Sequence, residues 1–301
     1  SFYCLGNAQF RLKEYDSAIK SYDKAEAQGH KDEVMYNNRG KAKFYLQNQR
    51  DAIEDYSKAL AIKADYATAY ENRASAYYIL GICYYNLELY PQTVEQLSKA
   101  VQLGLNDKNT LAQLGIAHVK SEDYKSALPV IGRAIQAGAQ SKDLYVNQGI
   151  AKYNVKDYKG TDEAISKAIE FGAEDPSLYF MRGISRNELK NEEGTITDLE
   201  KAFAGGIKDG NASYIMGNLK FKKADYAGAI SNYNTAEATG LSEAVLFNNR
   251  GKAKYLTNDV TNAIKDFDKA LNIDPSYTKA LENRADAKYQ LEDWAGAAAD
   301  L

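Results

Sequence analysis

The sequence predicts an all-α solenoid, a stack of antiparallel helix pairs, and three features indicate it. Glycine recurs at a fixed interval of 34 residues, at Gly81, Gly115, Gly149, Gly183, Gly217 and Gly251. Each interval holds two runs of apolar residues at helical spacing, with a polar break between them. A further glycine follows the second run in most intervals. One such helix pair cannot bury its apolar face alone, so neighbouring pairs must stack.

The interval at residues 109–138 shows the helix pair. Its apolar residues form two runs, Leu111, Leu114, Ala117 and Val119, then Tyr124, Ala127, Ile131 and Ala134. Ser121, Glu122 and Asp123 lie between the runs and predict a turn whose acidic residues favour the start of the second helix. Gly138 predicts the end of that helix, because glycine readily adopts the left-handed conformation of a C-cap. Its equivalents are Gly29, Gly104, Gly172, Gly206 and Gly240.

A recurring motif makes the repeat type specific. One unit carries Leu5, Gly6, Tyr15, Ala18, Tyr22 and Ala25, and another carries Phe247, Gly251, Ala263, Phe267, Ala270 and Pro275. In these features the chain resembles the tetratricopeptide repeat (TPR) family over essentially its whole length. The resemblance implies a right-handed superhelix whose concave surface is lined mainly by the first helix of each pair.

We expect a single repeat array that is a fragment of a longer chain. The predicted units are residues 1–31, 32–65, 66–76 (partial), 77–105, 106–139, 140–173, 174–207, 208–241, 242–275 and 276–301 (partial). The array is interrupted near Ala76, because Gly40 and Gly81 are 41 residues apart, which is 27 short of two intervals. We therefore predict that about 27 residues, a second helix and its turns, are absent there, since a fused pair of first helices would leave an apolar face uncovered.

A longer internal symmetry supports the same count. Residues 1–76 align without gaps on residues 212–287, with 34 identities at an offset of 211. Adding 27 to 211 gives 238, which is seven intervals of 34 residues. The symmetry indicates a duplicated block of repeats, two copies of one binding surface, or both.

Composition and motifs argue against catalysis and against several classes of ligand. The chain has a net charge of −3, two cysteines and two histidines, and no basic stretch typical of a nucleic-acid binder. No phosphate-binding loop, nucleophile motif or metal-ligand spacing is present, so we expect no enzyme activity, no cofactor and no metal site. Carboxylates such as Glu192, Glu193 and Asp198 are interpreted as solvated helix faces. No apolar run is long enough to insert in a membrane.

The candidate site consists of polar residues on the first helices. They are Asn7, Asn37, Asn38, Lys41 and Asn72 in the first block, and Asn218, Asn248, Asn249, Lys252, Lys279 and Asn283 in the second. An asparagine amide both donates and accepts hydrogen bonds, which suits the backbone of an extended peptide. Between the blocks the corresponding positions are apolar and predict a surface for an amphipathic helix, or positions buried in the array: Tyr78, Ile82, Ala112, Ile116, Val146, Ile150, Phe180 and Ile184.

One TPR subclass binds acidic C-terminal tails through a clamp of lysine, arginine and asparagine. The resemblance places the clamp asparagines at Asn7, Asn38, Asn218 and Asn249, but Tyr3 and Tyr214 occupy the first lysine positions. Thr68 stands at the second lysine position of the first block, and Lys279 in the second, while Asn72 and Asn283 replace the arginine. Without those charges a clamp would lack its charge-assisted hydrogen bonds, so we expect no working clamp.

The predicted function is a non-catalytic scaffold that binds peptide or helical segments of partner proteins. The alternative is a structural spacer, or an assembly subunit, that makes its contacts through its convex face or its ends. The sequence does not identify the partner, the compartment or the oligomeric state.

Overall fold

A computed structural model describes all 301 residues, and the chain is helical throughout. The helices are α1 (Phe2–Arg11), α2 (Tyr15–Ala27), α3 (Glu33–Tyr45), α4 (Gln49–Ile62), α5 (Ala67–Asn86), α6 (Tyr90–Gln102), α7 (Lys108–Lys120), α8 (Tyr124–Gln136), α9 (Lys142–Asn154), α10 (Tyr158–Glu170), α11 (Pro176–Glu188), α12 (Glu192–Ala204), α13 (Gly210–Lys222), α14 (Tyr226–Ala238), α15 (Ala244–Leu256), α16 (Val260–Ile273), α17 (Thr278–Gln290) and α18 (Trp294–Asp300). The predicted all-α class is confirmed.

The chain divides into two compact units. One contains residues 1–160 and 166–173, and the other contains residues 161–165 and 174–301. In the first unit each helix from α1 to α9 packs against the next, and in the second the same is true from α11 to α18. Odd-numbered helices are the first helices of the pairs and even-numbered helices are the second helices.

The turns and helix ends follow the local sequence. Asp123 Oδ1 accepts a hydrogen bond from Ser126 N at 3.2 Å and so caps the start of α8. Glu122, immediately before it, has a φ of 60°, and eight other non-glycine residues at equivalent turns also lie in the left-handed region. Gly138 has a φ of 89°, and its five predicted equivalents all have positive φ. The predicted glycine caps are therefore confirmed.

The recurring glycine of the first helix allows a close crossing with the second helix. A Cβ atom on Gly115 would lie 2.6 Å from Ile131 Cγ1 and 3.3 Å from Ile131 N. Gly40 meets Tyr56 in the same way, with 2.7 Å between the added Cβ and Tyr56 Cε1. Ile131 and Tyr56 are fully buried or nearly so. The 34-residue spacing of glycine thus reflects one steric requirement repeated along the chain.

The predicted interruption at Ala76 is wrong. Helix α5 runs without a break for 20 residues through Ala76 and Tyr77, whereas the equivalent helix α17 has 13 residues. Two first-helix sequences are therefore fused end to end, with no second helix between them. Gly81, in the second of these sequences, crosses Leu97 of α6, and a Cβ there would lie 2.7 Å from Leu97 Cδ2.

We expect Gly115→Leu to destabilise the protein by about 1–3 kcal/mol or more, because the larger side chain overpacks the crossing with Ile131. Gly132→Leu is the matched control, since Gly132 lies on helix α8 with open space beside it. There leucine should be neutral or stabilising, because it favours a helix over glycine by about 0.5–1 kcal/mol. Urea unfolding measures both values, and equal effects would contradict the assignment of the crossing.

Candidate functional site

Three polar side chains form a cluster between helices α1, α2 and α3. Tyr22 Oη donates to Asn7 Oδ1 at 2.8 Å, and Asn38 Nδ2 donates to the same oxygen at 3.2 Å. Tyr22 is fully buried, and this burial, reinforced by nearby Tyr3, raises the pKa of its phenol to about 12. The phenol therefore stays protonated and holds Asn7 in one orientation. The sequence-predicted residues Asn7 and Asn38 are brought together.

A second asparagine pair links helices α3 and α5. Asn72 Nδ2 donates to Asn37 Oδ1 at 2.8 Å. Asn37 is only 3% exposed, so it serves the packing of neighbouring first helices and offers little surface to a ligand. Its placement differs from the expectation of an open groove position, because the α5 side chain covers it.

The second unit repeats both arrangements. Tyr233 Oη donates to Asn218 Oδ1 at 2.8 Å, and Asn249 Nδ2 donates to it at 3.1 Å. Asn283 Nδ2 donates to Asn248 Oδ1 at 2.8 Å, and Asn248 is 5% exposed. The internal symmetry seen in the sequence is thus a symmetry of hydrogen bonds as well.

The three candidate lysines form no ion pair, and Lys41 lines a pocket with Asn72. Lys41 and Lys252 are half-buried and Lys279 is exposed. Lys252 Nζ lies 5.2 Å from the centroid of the Tyr255 ring, a cation–π distance. These cations remain available to a ligand.

Two concavities coincide with candidate residues of the first unit. Asn7 and Asn38 line a pocket of about 350 Å³ together with Tyr3, Phe10 and Arg11. Lys41 and Asn72 line a smaller pocket of about 180 Å³. Both pockets lie on the first-helix face, where an extended chain could lay its backbone against the asparagines.

The apolar stripe expected between the blocks offers less surface than an open groove would. Ile116 is buried, and the other positions are half-buried, namely Tyr78, Ile82, Ala112, Val146, Ile150, Phe180 and Ile184. Packing between helices therefore uses much of this apolar surface.

Sequence reasoning missed a buried ion pair that joins first and second helices. Arg39 Nε and Nη2 donate to the two carboxylate oxygens of Asp55 at 2.9 and 2.7 Å, and Lys43 Nζ lies 2.7 Å from the same carboxylate. Asp55 has no solvent exposure and Arg39 is 3% exposed. Arg39 Nη1 also donates to Glu26 at 2.6 Å. A bidentate pair of this kind fixes the orientation of both helices.

The same pair recurs at a constant separation of 16 residues. It joins Arg250 to Asp266, Arg284 to Asp300 and Arg182 to Asp198. The interpretation of Asp198 as a solvated carboxylate is therefore wrong, because it is fully buried and bound by Arg182 and Arg186. The signal was present in the sequence as arginine immediately before the repeat glycine, or before Ala285 in its place, with aspartate 16 residues later.

Neither a metal cluster nor a membrane span is seen. No group of three or more histidine, cysteine, aspartate or glutamate side chains is placed to hold a metal ion. None of the helices is both long and apolar enough to cross a bilayer.

Comparisons with known proteins identify the class. A TPR repeat model matches residues 40–81, and a tetratricopeptide repeat model matches residues 244–277. The crystal structure of YrrB, described as a TPR protein with an unusual peptide-binding site, is 20% identical with a TM-score of 0.50, covering 62% of this chain and 97% of that one. The chain is a helical-hairpin repeat protein. It contains tetratricopeptide repeats, which generally serve as non-catalytic protein-interaction scaffolds.

Two further solved structures are similar to this chain. PilF of Pseudomonas aeruginosa is 18% identical with a TM-score of 0.44, covering 71% of this chain and 97% of that one. A tetratricopeptide repeat protein from Parabacteroides merdae is 16% identical with a TM-score of 0.36, covering 84% of this chain and 97% of that one. The search of curated proteins found no match.

We expect Asp55→Ala to destabilise the protein by about 3–5 kcal/mol, because it leaves the Arg39 and Lys43 charges without their buried partner. Asp65→Ala is the matched control, since Asp65 is exposed, and its effect should stay within about 0.5 kcal/mol. Chemical denaturation measures both free energies of unfolding. A similar small loss in the two variants would show that the pair has no structural role.

Stability should also fall in acid through Glu26 and Glu237. Although burial raises the pKa of each carboxyl, hydrogen bonds from Arg39 and Tyr36 hold that of Glu26 below its ordinary value of 4.5, and bonds from Lys269 and Arg250 do so for Glu237. This stabilisation is complete above the unfolded pKa and is lost as the pH falls through the folded pKa. The double variant Glu26→Gln/Glu237→Gln should therefore lose less stability between about pH 5 and pH 3. Parallel pH profiles of the denaturation midpoint would contradict this.

Proposed function

We propose that this protein binds an extended peptide segment of a partner protein on the first-helix face of residues 1–76, and a second segment on the matching face of residues 212–287. The observation that carries the proposal is the pair of asparagine clusters, each fixed at one end by the neighbouring helix. The proposal applies to Asn7, Asn38, Lys41 and Asn72 with their equivalents Asn218, Asn249, Lys252 and Asn283, and to Lys279.

Each cluster leaves amide groups free to pair with a ligand. Asn7 Nδ2, Asn38 Oδ1 and Asn72 Oδ1 make no hydrogen bond within the protein, although the other end of each amide does. In the second unit Asn218 Nδ2 and Asn283 Oδ1 are free in the same way. Such fixed donors and acceptors match the alternating N–H and C=O groups of an extended backbone. Because these amides are already ordered, binding loses little side-chain entropy.

Backbone recognition also fits the shortage of cations. The positions that would clamp a terminal carboxylate hold Tyr3 and Tyr214, and only Arg11 is charged in the pocket that Asn7 and Asn38 line. A free acidic tail would therefore find few charge-assisted bonds. An internal peptide segment is the better match. Peptide binding is also the property named for YrrB, and it is carried to this chain as a proposal only.

Buried Asn37 and Asn248 support this surface without forming part of it. Their Oδ1 atoms accept hydrogen bonds from Nδ2 of Asn72 and Asn283, and so position these two half-buried residues. We assign them as positioning residues. Their replacement would affect stability and binding together, so they are unsuitable as tests of binding.

We expect Asn38→Ala/Asn249→Ala to weaken binding of a peptide selected from a phage-displayed library against the unaltered protein. Asn38→Ala removes a free acceptor, and Asn249→Ala removes a donor that orients Asn218, whose Nδ2 is free. A hydrogen bond contributes about 0.5–1.5 kcal/mol, so losing one ligand bond at each site predicts roughly 2- to 10-fold weaker affinity per site. Fluorescence anisotropy measures the affinity. Asn262→Ala, at an exposed position on the second helix α16, is the control and should leave it unchanged.

Thermal unfolding of the same variants separates binding from folding. The double variant should unfold within a few degrees of the parent, since half-buried amides contribute about 1 kcal/mol each. Unchanged affinity in a folded double variant would contradict the proposal and favour the alternative of a structural spacer.

A further inference from the structure

The fused helix α5 leaves one face uncovered that complete repeats cover. In first helices that follow a second helix, the residue two positions after the recurring glycine, or after the alanine that replaces it, generally lies against that preceding second helix. Ala76 belongs to a cluster with Ala52 and Tyr56 of α4. Ala151 belongs to a cluster with residues of α8, and Ala287 to one with residues of α16.

Burial at this position is the rule where a second helix precedes, although the larger Leu219 is only half-buried. The equivalents Ala42, Ala117, Ala151, Ser185, Ala253 and Ala287 are all fully buried. Ala8, which has no second helix before it, is exposed. Cys83 occupies the position in the second half of α5, and it is exposed as well. Helix α4 packs on Ala76 and does not reach Cys83, so Cys83 has no second helix packed on it.

A groove marks the uncovered face. Compared with α17, α5 extends by seven residues, or about 10 Å at 1.5 Å per residue, past the turn between α3 and α4. The groove has a volume of about 780 Å³ and is lined by Phe44 and Tyr45 on one side and by Leu80, Cys83 and Leu87 on the other. Tyr45 and Leu87 are 52% and 67% exposed, which is high for large apolar side chains.

The polar groups of the groove specify part of its ligand. Arg50 is the one charged residue of the lining, and its guanidinium donates to Tyr84 Oη. Gln49 also lines the groove, and its Oε1 atom is buried without a hydrogen-bond partner. The second block places Val260 at the position of Gln49, and Val260 is buried in a cluster with Ala287. The groove therefore favours a ligand with an acidic group to pair with Arg50 and a hydrogen-bond donor to pair with Gln49 Oε1.

We propose that this groove docks an amphipathic, acidic α-helix of a partner protein, which takes the place of the absent second helix. The second helices present a small residue, alanine or threonine, and, four residues later, a large apolar residue. Three of them show the contact with the following first helix through a pair that begins with alanine. These pairs are Ala52 and Tyr56, Ala127 and Ile131, and Ala263 and Phe267. The partner helix carries the same pattern toward Cys83, and a carboxylate toward Arg50. This surface adjoins the pocket of Lys41 and Asn72, with which it shares Phe44 and Tyr45. It contains none of the residues of the peptide-binding proposal, so it does not depend on that proposal.

A helix from this chain provides a defined probe. The segment 259–274 contains the pair Ala263 and Phe267, four aspartates and two lysines, so it has the required pattern and a net negative charge. A synthetic peptide of this segment, stapled on its polar face to hold it in a helical conformation, is the ligand in the binding experiments. The protein is the full chain with Cys4→Ser, which leaves Cys83 as the single thiol.

We expect the peptide to bind and to slow maleimide alkylation of Cys83 by about tenfold or more when saturating, equivalent to about 1.4 kcal/mol of protection. The same peptide with Phe267→Ala should give little protection. In anisotropy measurements Cys83→Glu should abolish binding, because it sets a carboxylate against an acidic peptide, whereas Cys4→Glu should have no effect.

Three results would overturn the proposal. These are a lack of binding, binding that leaves Cys83 alkylation unchanged, and equal binding to the Cys83→Glu variant. Sedimentation of the peptide-free chain tests another occupant. Self-association that Cys83→Glu removes would assign the groove to a second copy of this chain instead of a partner helix.

Discussion

The structure depends on one packing requirement, which is that each first helix is covered by its own second helix and by the second helix before it. A 34-residue helix pair buries too little apolar surface to be stable alone. Glycine at one helix crossing and alanine at the next allow the close approach that this packing needs, as Gly115 does against Ile131 and Ala76 against α4. The exposed Cys83 and its groove arise where this requirement is not met within the chain.

Polar interactions add direction to this packing. The buried Arg39–Asp55 pair and its equivalents hold each first helix and its second helix in one relative orientation. Apolar contacts alone would not fix that orientation. The fused helix shows the consequence of losing a partner. Arg73 aligns with Arg284 in the internal symmetry, but the residue 16 positions later is Leu89, and Arg73 Nε is buried without a hydrogen-bond partner.

The asparagines combine a structural and a recognition role. The amides of Asn7, Asn38 and Asn72 are hydrogen-bonded to neighbouring helices at one end and free at the other, so the packing that orders the array also orders the proposed ligand groups. Two copies of this arrangement are the basis of the proposal that the protein binds two peptide segments. The proposed peptide surfaces and the proposed helix-docking groove at α5 differ in chemistry, because the former present amide groups and the latter presents apolar side chains and Arg50.

The sequence by itself determined the helical class, the helix pairs and their caps, because these depend on apolar spacing and on glycine at fixed positions. It also placed Asn7, Asn38 and their equivalents on neighbouring first helices, where the structure brings them together. It did not reveal that Asn37 and Asn248 are buried, or that Asp198 is paired, since burial depends on which neighbouring helix covers a side chain. Only the tertiary structure showed that helix α5 runs without a break through Ala76. There the repeat count indicated missing residues, but helix propagation is locally favourable through the junction, and the uncovered face follows from the absence of a neighbour.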